Sequence, residues 1–107
     1  MIVLSVASAI LLALVQNAAA NTSRSELRNC LKEAVTQAKS DKIAADGFAA
    51  FASERCGKSA AGLKSALVSF DVKNKVSRRQ AESDAQEQID EFVTMAAETY
   101  TAELPRP

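Results

Sequence analysis

Cys30 and Cys56 are the side chains best equipped for covalent chemistry, and they are the only two cysteines in the chain. Two thiols can join as a structural crosslink or cycle as a redox dithiol. Redox pairs favour C-x-x-C spacing and need a helix N-terminus or nearby cations to lower the thiol pKa. Cys30 and Cys56 are far apart in the sequence, and each falls inside an apolar helical stripe, which favours the crosslink. Histidine is absent, which removes the commonest general base, metal ligand and physiological-pH switch. No pair of nucleophile and base can be named. The expectation is therefore a protein that is not an enzyme and uses no cofactor or metal.

Two charged groups of residues come next. From Gln80 to Leu104 there are carboxylates and no basic residue, and Asp84, Glu87, Glu91 and Glu98 share one helix face opposite the apolar stripe. Two carboxylates flanking a cleft can act as an acid and base pair. On a convex helix they are screened by water, and a solvated face is the expected outcome. The basic group is Lys64, Lys73, Lys75, Arg78 and Arg79, balanced only by Asp71. Arg78 and Arg79 at a helix start oppose the macrodipole. Either the turn is a patch for anionic lipid, envelope polymer or an acidic partner, or it is solvated with Arg78 paired to Glu82.

The elements that must position these groups are helices. Ser23 with Glu26 fits a capping box, so the spacing predicts a first helix over residues 24–40. Its stripe is Leu27, Cys30, Leu31, Ala34, Val35 and Ala38. A second helix is predicted over 44–73, with Phe48, Phe51, Ala52, Cys56, Ala60, Leu63, Ala66, Leu67 and Phe70 within one half of its circumference. Whether 44–73 is one helix bent at Gly57 or two helices broken at "CGKS" stays open. After a tight turn at "KNKV", Ser77 and Gln80 form a second capping box with a Val76–Ala81 staple. The third helix runs to residue 103 and carries Ala81, Ala85, Ile89, Phe92, Val93, Ala96 and Tyr100 inward. Pro105 and Pro107 cannot continue it. Short connections make neighbours antiparallel, giving an all-α, three-helix up-down-up bundle.

That bundle pairs the cysteines. Both lie about 13 residues from a turn centred near residues 42–43, about 20 Å along each helix, and both face inward. A disulfide closing a loop of this size adds about 3 to 4 kcal/mol in the chain-entropy model. Domains this small have marginal cores and commonly need such a staple.

The first twenty residues carry no charged side chain. The apolar run from Ile2 to Val15 has the length of a signal-peptide core and is short for a membrane span. Ala18-Ala19-Ala20 offers a small-x-small cleavage site after Ala20. The expectation is a signal peptide over 1–20 and a single helical domain over 21–107, with an uncleaved anchor as the alternative. Lys plus Arg and Asp plus Glu are 13 each, a net charge of zero, so a nucleic-acid partner is not expected. Export to the periplasm or outside the cell supplies the oxidising conditions in which disulfides persist.

A first helix beginning at residue 24 is too short to cover the far end of the other two. The apolar tip carrying Leu67, Phe70, Val72 and Val76, ringed by Lys73, Lys75, Arg78 and Arg79, would then be a surface for a protein or envelope partner or for self-association. The competing expectation is that the residues before the first helix, or a bend at Gly57, cover that tip.

The segments "SRSELRNCLKEAV", "DKIAADGFAAF", "GLKSALVSFDVKN" and "SRRQAESDAQEQIDEF" resemble a group of small exported helical proteins of alphaproteobacteria to which no activity is assigned. The resemblance spans nearly all of residues 21–107, including Cys30 and Cys56. It implies export and a cysteine pair and carries no mechanism. The functional expectation is a non-enzymatic structural or interaction factor of the cell envelope. The alternative is peripheral binding to an anionic membrane or envelope surface through the basic turn 73–79.

Overall fold

The computed structural model describes the backbone of residues 2–105 and the side chains of residues 18–105. Within that span the chain is all-α. Helix α1 covers Ile2–Ser40, a single 3-10 turn covers Ala45–Gly47, and α2 (Phe48–Arg55), α3 (Gly57–Lys73) and α4 (Arg78–Glu103) follow. The up-down-up course is as expected, but its descending leg is two helices, so the bundle has four helices rather than three.

Helix α1 does not begin at residue 24. It runs unbroken through Ser23, so the capping box there does not operate. A capping serine needs an extended backbone, and the preceding alanines and leucines instead favour continuing the helix. Its other end is as expected. Lys42 turns left-handed at φ 57°, and the Ile43 amide donates to the Ala38 carbonyl at 3.0 Å. That six-to-one bond is a Schellman closure, and Ile43 folds back onto the core.

Of the two expectations for 44–73, the single helix is corrected to two helices broken at "CGKS", preceded by a 3-10 turn. The break falls at Cys56, where φ −103° and ψ 15° leave the helical range. Its cause lies in the phase of the buried residues. Phe48 and Val68 are both buried, yet in a continuous helix at 100° per residue they would stand about 160° apart. Reorientation at Cys56 lets α2 and α3 each turn their own stripe inward.

The α3–α4 turn repeats the Schellman closure. Lys75 is left-handed at φ 71°, and the Val76 amide donates to the Asp71 carbonyl at 3.0 Å. Ser77 then caps α4, accepting from the Gln80 amide at 3.2 Å. The Gln80 side chain does not reach back to complete the box; it donates to Asp84 at 2.7 Å instead. Leu104 departs into extended backbone before Pro105.

The core is built from Leu27, Leu31, Phe48, Leu63, Leu67, Ile89 and Tyr100, with alanines between them. Tyr100 is fully buried and stacks on Phe48 with ring centroids 4.7 Å apart. Its hydroxyl lies 3.2 Å from the Ala38 carbonyl and within hydrogen-bond reach of the Ile43 carbonyl, so its proton ties α4 to the end of α1. Lys39 and Glu103 add an ion pair at 3.2 Å between the same helices.

Candidate functional site

The cysteines are brought together as expected. Cys30 and Cys56 form a disulfide with their Cα atoms 5.8 Å apart. Cys56 is almost fully buried at the α2–α3 break, while Cys30 is half-buried on the flank of α1. The bond therefore fastens α1 to the point where the descending leg changes direction. Ala52, Cys56 and Ala60 from that leg, with Leu27 and Ile89, line a shallow depression beside it. Small side chains there let the backbones approach closely enough for the bond.

The basic turn is exposed, and the apolar residues beside it are buried or half-buried in the full chain. Lys73, Lys75, Arg78 and Arg79 are exposed, whereas Leu67 is buried and Phe70, Val72 and Val76 are half-buried. In the chain with residues 1–20 present, the tip residues are thus partly covered rather than fully exposed. Counted back from the Cys30–Cys56 bond, Ala20 stands at about the level of Ala66, and it is itself buried. Helix α1 extends from there toward its start at Ile2. Arg78 and Glu82 border the same shallow depression without pairing: among the described residues Lys39–Glu103 is the only ion pair.

The carboxylates of α4 stand on its outer face. Glu87, Glu91 and Glu98 are exposed and Asp84 is half-buried. Among the described residues no group of three or more Cys, Asp or Glu side chains could hold a metal ion.

A groove that the sequence did not disclose runs between α1 and α4. Leu31 and Val35 form one wall, Phe92, Met95, Ala96 and Thr99 the other, and Arg28 and Lys32 stand on the α1 rim. Met95 is the large apolar side chain left exposed, at 65%. The Arg28 guanidinium lies over the Phe92 ring, 5.6 Å from its centroid, a cation–π contact worth about 0.5 to 1 kcal/mol at an exposed site. Met95 was hidden in the sequence because it sits outside the inward stripe of α4. Its place beside Phe92 and Thr99 on the helical wheel was the available signal.

Most of the expected signal peptide over 1–20 lies outside the described side chains. Ala20, the expected cleavage position, is helical and buried. Among the described residues no helix is long and apolar enough to cross a membrane. Comparisons with protein-family models, curated proteins and solved structures find no match to this chain.

Proposed function

We propose that this chain is an exported, non-enzymatic helical protein that serves as a structural or interaction factor of the cell envelope, in the periplasm or outside the cell. The observation that carries this reading is the Cys30–Cys56 bond. A bond between the chain's only two cysteines suits an oxidising compartment, and in a core so rich in alanine it supplies stability that apolar burial does not. The uncharged apolar leader ending in Ala18-Ala19-Ala20 supports the same route.

The full chain, expressed with its own leader in a bacterial host and fractionated, tests this. The expected product is found in the periplasm or medium, begins at Asn21 and takes up no alkylating reagent without prior reduction. Cytosolic protein with an intact Met1 and two alkylatable thiols overturns the reading.

A second reading is peripheral attachment to an anionic envelope surface through the turn 73–79. It is favoured by the exposure of Lys73, Lys75, Arg78 and Arg79, none of which forms an ion pair among the described residues. Each such cation near an anionic surface contributes about 1 kcal/mol, screened within a Debye length. Binding to vesicles rich in anionic lipid is then expected to fall steeply between low and high salt. Absent binding, or binding indifferent to salt, removes this reading.

A further inference from the structure

From the groove between α1 and α4 we infer that this protein self-associates as a parallel two-fold dimer, in which the groove of each copy meets that of the other. This surface is separate from the basic turn and does not rest on the export reading.

The first observation is the charge on its two rims. Arg28 and Lys32 line the α1 side. At 100° per residue Arg24 and Lys39 fall on that same side of α1, with no carboxylate among them. The α4 side carries Glu91 and Glu98 just outside Met95, and Met95 and Glu91 border a further shallow depression with Glu87. No basic residue stands on that side, because α4 has none after Arg79. The rims do not neutralise each other within one chain: among the described residues the only ion pair across them is Lys39–Glu103 at the very end. One molecule thus presents a cationic strip and an anionic strip side by side, with an apolar trough between.

The second observation is register. The Lys39–Glu103 pair and the Arg28–Phe92 contact have the same sequence separation, so α1 and α4 run parallel and in step. Of the two-fold axes that bring groove against groove, one lies across the helices and sets α1 against α1, cation on cation. The other lies along them and sets each α1 against the partner's α4. In that second arrangement Arg28 stands within about one residue of the level of the facing Glu91, and Lys32 within about two residues of Glu98. At a 1.5 Å rise these offsets are about 1.5 and 3 Å. Met95 then passes out of water onto the opposing Leu31, Val35 and the stem of Lys32.

The size of the face sets the strength. Two helices about 9 Å apart, faced over about 20 residues, hide about 600 Å² per copy, at the lower end of specific interfaces. The dimer is accordingly weak and salt-sensitive. A second copy suits this groove better than an apolar small molecule, since the trough is open along its length and its polar edges alternate in sign.

Sedimentation equilibrium of the oxidised protein, produced with its own leader and measured from low micromolar to about millimolar concentration, tests the inference. The expected result is a reversible monomer–dimer equilibrium whose Kd rises at least tenfold between low and high salt. Met95→Glu is expected to leave only monomer. Arg28→Glu with Lys32→Glu weakens association at least tenfold, and adding Glu91→Lys with Glu98→Lys restores it. Circular dichroism confirms that each variant remains helical; a variant that unfolds is replaced by Met95→Ser, expected to weaken association in the same direction. Monomer at every concentration in low salt overturns the inference. So does a dimer that survives Met95→Glu but is lost with Phe70→Glu, which would place the contact at the α3–α4 turn.

Discussion

Cys30→Ser is expected to lower the melting temperature by about 15 °C or more while leaving the helix content in the cold unchanged. The bond closes a loop with a sequence separation of 26, which corresponds to about 3.5 kcal/mol of unfolded-chain entropy. In a domain this small each kcal/mol moves the transition by about 4 to 8 °C. Helix content survives because Cys56 stays packed against the core without its partner, and the rest of the α1 stripe and the α4 stripe are untouched. Far-ultraviolet circular dichroism during heating measures the effect. A reductant supplies the control: it should bring the parent down onto the variant's curve and leave the variant's own curve in place. Superimposed melting curves for oxidised parent and variant would refute the stapling role.

Tyr100→Ala is expected to be the most destabilising single substitution in α4, at about 4 kcal/mol. Truncating a fully buried aromatic side chain removes its packing and leaves a cavity, typically costing 3 to 5 kcal/mol. Here the loss also strips the stacking partner from Phe48 and the hydroxyl from the Ala38 and Ile43 carbonyls. Tyr100→Phe separates these contributions. It keeps the ring and loses only the hydrogen bonding, at about 1 kcal/mol. Urea unfolding of both variants measures the difference. Should Tyr100→Phe cost as much as Tyr100→Ala, the hydroxyl rather than the ring would be the anchor.

The inward faces of the helices were legible in the sequence because a 3.6-residue period is a local property. Every residue assigned to the stripes of α1 and α4 is at least half-buried. The cap at Ser77 was legible for the same reason, since its bond spans only three residues. The pairing of Cys30 with Cys56 followed from two simple conditions, level and facing, which a break at Cys56 itself does not disturb. What escaped depended on competition or on distant neighbours. The Ser23 capping box lost to a helix-favouring segment before it. The break at "CGKS" was one of two alternatives the sequence offered, and choosing it requires knowing that Val68 is buried with Phe48. The hydroxyl bond from Tyr100 to the end of α1, and the groove beside Met95, both require knowing which helices stand side by side and in what step. Periodicity shows which way a helix faces, not which helix faces back.

The burial of Ala20 inside an unbroken α1 bears on when the leader would be removed. A peptide bond whose carbonyl and amide are held in a helical ladder, and whose side chain is covered, cannot enter a protease cleft without local unfolding. If residues 1–20 are a cleaved leader, as proposed, trimming after Ala20 would belong before the helices assemble, while the newly translocated chain is still open. Oxidation of the thiols would come afterwards, sealing a molecule already shortened. On that reading maturation would have a built-in chronology, and a chain that closed too early would keep its leader.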